Sequence, residues 1–416
     1  MIKRLTLACV SVAAFILFLT CTDSVTGPEG PQGELPRALS ESEQMLIEAD
    51  REFSYHLFKR TVAWDDEENI FISPFSVSMA LAMTLNGAEG QTFEDMRRTL
   101  ELDGMDLNEI NDSFQSLVEL LATVDPKVQL KIANSIWHRN SLAVSEDFRL
   151  RMEEYFEARI AGLDFSDPAS VDIINGWVNE NTEGLIEEII KEIPANVVMY
   201  LINALYFKGD WLRQFDPDDT APANFHLESG EAIEVDMMRQ DGLFATYQSE
   251  EVQMIELPYG DSLFTMSVLM PGSAETPIDQ FIAEKVTAEN LAKWRSNLSV
   301  DARKSTVGLP KFEMEYEITY NDILKVMGME IAFGGQADLS GLVESETAGL
   351  YIDEVKHKTF IQVDEEGTEA AAVTSVAIAE SARPSVIMNR PFVFIIYERE
   401  SGTNLFMGKM KDPSSL

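Results

Sequence analysis

The side chains that most often do chemistry are sparse in this 416-residue chain. It has four histidines, His56, His138, His226 and His357, and two cysteines, Cys9 and Cys21. No two histidines stand at metal-ligand spacing, and both cysteines lie near the N-terminus, so no zinc site is expected. No Gly-x-Ser-x-Gly elbow, phosphate-binding loop or dinucleotide fingerprint is present. The acid run Asp216-Pro217-Asp218-Asp219 reads as a solvated turn rather than a cation site. No enzyme, cofactor or metal site is expected from these residues; a hydrolase with a dispersed site, which needs no local motif, is the alternative left open.

A second stretch has a different kind of chemical pattern. "GTEAAAVTSVAIAES", Gly367 to Ser381, follows the acids Asp364, Glu365 and Glu366. As a strand it would place Thr368, Ala370, Ala372, Thr374, Val376 and Ile378 on one face, because strand side chains alternate. That face has no charge, and its first members are small, so a packed core could accept it. Neither face contains proline, which would remove a ladder hydrogen bond. Gly367 alone freely accepts positive φ. Yet an acidic, glycine-containing entrance followed by alanines also reads as an exposed loop. The composition leaves both readings open.

The elements that must position such a segment are mixed. "SESEQMLIEADREFSYHLFKRTV" has helical spacing with Ser40 or Ser42 as N-cap, and "SPFSVSMALAMTLNGA" suits a helix entered at Pro74. "NEINDSFQSLVELLATVD" and "VDIINGWVNENTEGLIEEII" are further helices. "VQLKIANSIWHRN", "VVMYLINALYFKGDW", "VQMIELPYGDSLFTMSVLMPG" and "PFVFIIYERESGTNLFMGKM" read as strands and hairpins. Helices dominate the first half and strands the second, which is an α+β pattern without a second domain.

The N-terminus carries Lys3 and Arg4, then an apolar run from Leu5 to Leu19, the pattern of an export signal over residues 1–20. It resembles a bacterial lipoprotein signal, which implies acylation of Cys21 and anchoring to the cell envelope; ordinary secretion, and retention of the apolar segment as an anchor, are the alternatives. Residues 21–40, with "GPEGPQGELPR", form a Gly/Pro-rich linker. The folded domain is expected over 41–416. With 32 basic and 71 acidic residues, a formal −39, the surface disfavours nucleic acid, anionic lipid and any polyanion cofactor.

Several stretches, taken together and in order, resemble the serpins, the serine-protease-inhibitor superfamily. They are "NIFISPFSVSMALAMTLNGAEGQT", "ANSIWHRN", "LINALYFKGDWLRQF", "LPKFEMEYEITYNDILKVMGM", "ADLSGL", "EVKHKTFIQVDEEGTEAAAVT" and "NRPFVFIIYERESGTNLFMGKM". The resemblance spans about Ser40 to Pro413. It implies about nine helices, three β-sheets and an exposed reactive-centre loop. It also implies a monomeric inhibitor that traps a serine protease covalently, the cut loop entering the large sheet as that superfamily is known to do.

Site residues follow from the same resemblance. The hinge is Glu365, Glu366, Gly367, Thr368, Glu369, Ala370, Ala371 and Ala372. Ser73, Ser76, Asn203 and His357 match the "shutter" beneath the sheet, and Lys208, Gly209 and Trp211 match the "breach" where the loop enters. A helix over Asn175–Ile190 would cross the sheet. Counting forward from Gly367 places the scissile bond at Ser381–Ala382, and counting back from Pro391 places it at Glu380–Ser381, the preferred reading. Arg383 is followed by Pro384, which disfavours a trypsin-like target and leaves glutamate-specific or elastase/subtilisin-like serine proteases. A non-inhibitory binding or chaperone protein on the same fold is the alternative.

Overall fold

The computed structural model describes residues 33–301, 305–344, 349–368 and 385–414. The export signal, Cys21, most of the linker, the hinge from Glu369 to Ala372 and the scissile region Glu380–Ala382 lie outside them. Among the described residues the helices are α1 Glu41–Trp64, α2 Pro74–Leu85, α3 Gly90–Thr99, α4 Leu107–Thr123, α5 Glu146–Phe156, α6 Ala169–Asn181, α7 Ile278–Lys285, α8 Ala288–Ser296 and α9 Asn321–Leu324. The strands of the first half are β1 Ile70–Ile72, β2 Val128–Arg139, β3 Arg159–Leu163, β4 Met199–Asp210, β5 Ala221–His226, β6 Ala232–Gly242 and β7 Ala245–Gln248. Those of the second are β8 Val252–Pro258, β9 Phe264–Pro271, β10 Ser299–Val300, β11 Ser305–Pro310, β12 Phe312–Thr319, β13 Lys356–Val363, β14 Gly367–Thr368, β15 Ser385–Ile387, β16 Phe392–Glu398 and β17 Asn404–Met410.

Local chemistry accounts for the helices nearest the site. Ser40 caps α1 in a capping box with Glu43, each side chain bonding the other's backbone N–H. Ser73 caps α2 by accepting the Ser76 N–H, and Pro74 occupies the first helical position, where its missing N–H costs nothing. α2 has no charged residue and is buried along almost its whole length. The sheet-crossing helix is earlier and shorter than Asn175–Ile190. α6 ends at Asn181, where Thr182 bonds back to the Val178 carbonyl and Glu183 and Gly184 take positive φ. The Asn175 carboxamide then accepts the backbone N–H of Ile189 and Ile190 at 3.0 Å each, tying the non-helical continuation back to the helix.

A seven-stranded sheet, ordered β1-β17-β16-β9-β8-β7-β10, forms the centre, with β16 and β17 buried throughout. A second sheet runs β15-β11-β6-β5. Three sheets were expected, and the remaining strands should form one large sheet. They form two hydrogen-bonded pieces instead, β14-β4-β2-β3 and the pair β12-β13. The large sheet is parted between β4 and β13. The break is the structural feature that matters most for function.

Candidate functional site: a parted sheet closed at one end

β4 and β13 line opposite sides of a cavity of about 340 Å³ floored by α2. The alternation of β13 is clean, with His357, Thr359, Ile361 and Val363 turned inward. On β4, Phe207 packs in the main core with Leu201 and Leu205 against it, whereas Ile202 and Ala204 join a separate apolar cluster with Trp177 and Val178 of α6. Odd-numbered residues of β4 therefore face α2, and even-numbered ones face α6.

Ser73, Ser76, Asn203 and His357 all line this cavity. The Ser73 N–H donates to His357 Nε2 at 2.9 Å, and the Ser73 hydroxyl donates to the Leu405 carbonyl at 2.8 Å. One serine thus links α2 to β13 and β17. With Nε2 accepting, His357 is neutral, and burial pushes its pKa down to about 3. Asn203 stands on the other side of the gap. Its amide donates to Asn134 Oδ1 of β2 at 2.8 Å, and Asn134 in turn donates to the Phe156 carbonyl at 2.7 Å. The Asn203 carbonyl oxygen is buried without a partner among the described residues. The expected constellation is brought together around the cavity; the Asn203 amide reaches α2 through Met79 Sδ at 3.7 Å, but among the described residues no hydrogen bond joins Asn203 to Ser73, Ser76 or His357.

At the far end the gap is bridged by β14. Gly367 pairs with Asp210 and Thr368 with Gly209, antiparallel. Gly367 has φ +147, and a Cβ there would lie 2.3 Å from the Gly209 carbonyl oxygen, so only glycine fits. The preceding acids form a tight turn, the Asp364 carboxylate accepting the N–H of Glu366 (3.0 Å) and Gly367 (3.3 Å). Trp211 and Phe215 donate backbone N–H groups to the carbonyls of Glu366 and Glu365, both at 2.8 Å. The Trp211 indole donates to the Asp364 carbonyl at 2.9 Å while its ring stacks on Tyr259, centroids 4.3 Å apart.

Charge at this end is unevenly matched. The Glu365 carboxylate meets the Lys311 ammonium at 2.8 Å and the Thr220 hydroxyl at 2.9 Å. Burial pushes Glu365 up, but Lys311, the backbone and Thr220 together hold it below the usual carboxylate range. Glu366 is shifted the other way, by burial and by the like charges of Asp364, Asp210 and Glu365, with Lys208 opposing them. The sequence pointed to Lys208, Gly209 and Trp211 here. It did not single out Lys311, Thr220, Tyr259 or Asn134: Lys311 and Asn134 lie within quoted stretches without a role assigned to them, and only the sheet topology brings the four to the site.

The sequence of residues 48–413 matches the family model described as serpin, serine protease inhibitor. The chain belongs to the serpin family. It is 33% identical over 384 residues to neuroserpin of Homo sapiens, covering 89% of this chain and 92% of that one. It is also 33% identical over 381 residues to the leukocyte elastase inhibitor of Sus scrofa, covering 89% and 100%. Among solved structures it resembles tengpin, a thermophilic serpin in the native state, with a TM-score of 0.81 at 33% identity over 90% of this chain and 95% of that one. The mixed α+β serpin fold is shared with that structure. Inhibition of serine proteases is the general activity of the family, and serpins are inhibitors rather than enzymes. Among the described residues no His, Cys, Asp or Glu cluster could hold a metal, and no helix is long and apolar enough to cross a membrane.

Proposed function

We propose that this serpin inhibits by covalent trapping, with its cleaved loop entering the gap between β4 and β13. The protease attacks the loop as a substrate and forms an acyl-enzyme. The released loop then becomes a strand and carries the bound protease with it, so that its active site is distorted before deacylation. The observation that supports this reading is the register of β14. Each residue forward on the loop steps one residue back on β4, so six steps beyond the Thr368–Gly209 pair bring Thr374 opposite Asn203. On the other side, the Asp364 N–H donates to the Gly367 carbonyl. Seven steps out from that pair bring Thr374 opposite His357.

The two registers agree. In the inserted form Thr374 arrives between the two halves of the polar cluster, where its hydroxyl can reach the unpartnered oxygen of Asn203. Continued in the same registers, an inserted loop would bring Thr368, Ala370 and Ala372 opposite Gly209, Phe207 and Leu205, on the α2 side. That is the face whose lack of charge and small first members are legible in the sequence. An ordinary surface loop would carry no such phase.

The target is a serine protease, of glutamate-specific or elastase/subtilisin-like preference if the bond is Glu380–Ser381. Incubation with a panel of such proteases yields an SDS-resistant species of summed mass, and sequencing of the released fragment fixes the bond. Loop cleavage by every protease without any such species contradicts trapping and favours a non-inhibitory binding role. The monomer is exported and anchored through acylated Cys21; mass spectrometry of the mature N-terminus tests this, and an unmodified start elsewhere refutes the anchor.

A further inference from the structure

α2 presents two chemically different sides. Ser73, Ser76, Val77, Ala80, Leu81 and Thr84 line the cavity. Ser78, turned away from it, meets Asp50 of α1, the two side-chain oxygens lying 2.5 Å apart. Asp50 is 3% exposed, and its second oxygen has no partner among the described residues; neither has the hydroxyl of Ser54, one turn further along α1. The Ser78 hydroxyl also lies 3.0 Å from the Phe75 carbonyl. It owns one hydrogen and faces two acceptors if Asp50 is ionised. If Asp50 is protonated, its own hydrogen goes to Ser78 and the serine's goes to Phe75, and the chain is satisfied. The hydrogen-bond count therefore favours the neutral acid.

We propose that Asp50 is a proton-coupled latch between α1 and α2: it holds a proton in the native state, with the gap between β4 and β13 unfilled, and releases it when α2 shifts to admit the loop as a strand. Charge elsewhere does not replace this role. α1 packs against α2, α4, α7, α8, α9 and β17. α2 has no ionisable residue. On α1 itself Arg51 pairs with Glu48. The remaining ionisable groups of the neighbours include Glu109 and Asp112 of α4, Asp279 of α7, Arg295 of α8, Asp322 of α9 and Lys409 of β17, the last paired to Asp279. None of these sets the Asp50 environment; burial does, opposed by Ser78, and the carboxyl is pushed up to about 7. A carboxyl raised in the native state and ordinary once hydrated penalises the native form increasingly as pH rises from about 3.8 to about 7, after which the penalty levels off.

The inference rests on loop insertion as the working motion, and its test separates the two. Thermal unfolding of the full chain and of Asp50→Asn is followed from pH 4 to 8.5. The advantage of the variant, taken relative to pH 4, should grow with pH by up to about tenfold in the folding constant per unit and flatten near pH 7. Ser78→Ala, which deletes the donor to the carboxylate, should move the flattening to higher pH. An advantage that does not change with pH overturns the latch. In parallel, uptake of a synthetic peptide with the sequence Thr368–Ala379 is followed on native gels. Wild-type uptake should quicken with pH up to about 7, and Asp50→Asn uptake should be slower there and lack this rise. A pH-dependent melting difference with identical uptake profiles overturns the coupling to the gap. No uptake at any pH overturns both the coupling and the insertion mechanism.

Discussion

His357 and Glu365 show how single residues tie the parted sheet to its surroundings. Because His357 is neutral when folded and would take up a proton near 6.5 when unfolded, its contribution falls as pH drops from about 6.5 toward about 3. Asp50 has the opposite slope over nearly the same range, about 3.8 to about 7, so the two effects offset one another in the wild type and His357→Gln and Asp50→Asn should tilt the stability–pH profile in opposite directions. Loss of the acid-side slope in His357→Gln, measured by thermal unfolding, checks the first. At the other end, Lys311→Ala leaves the largely buried Glu365 carboxylate without its cation. The expected cost is about 1–3 kcal/mol, more than an exposed ion pair supplies. A midpoint unchanged by Lys311→Ala would show that Thr220 and the backbone suffice to hold the carboxylate.

At the scale of elements, a two-residue strand and one helix border the gap. β14 starts a ladder on β4, and under the proposed insertion the later loop residues follow its register. Thr368→Arg puts a long charged side chain into the first core-facing position, where burial of an unpaired charge is prohibitive. The variant should be cut by the target at nearly the native rate but give cleaved product in place of complex; full complex formation would contradict the register. Much of this was legible beforehand. Ser73-Pro74 marks the start of α2 and Gly367 the start of β14, whereas the small, uncharged alternation beyond Thr368 lies outside the described residues. The parting of the sheet was not legible, because β4 read as a strand but β13 was not singled out by its own pattern, and nothing local says whether the two pair. Lys311 and Asn134 escaped for the same reason, as their partners lie 54 and 69 residues away. The sheet-crossing helix was legible as a helix but not in its bounds: α6 ends at Asn181, several residues earlier than motif matching places it.

The whole molecule carries a formal −39, so self-repulsion opposes the compact state and salt should relieve it. Thermal midpoints should rise from low ionic strength to about 1 M salt, where the screening length is about 3 Å. A midpoint indifferent to salt would mean that the acids are locally neutralised. Association with a cationic protease should slow over the same range, whereas a sulfated polysaccharide should leave the inhibition rate unchanged. The central claim concerns the gap itself, and cleavage in the loop tests it without knowledge of the natural target. The intact chain and the same chain nicked by any protease between Ala379 and Pro384 are unfolded side by side. If the loop enters between β4 and β13 and completes the large sheet, the nicked protein melts well above the intact one. A nicked protein that melts at or below the intact one would contradict insertion.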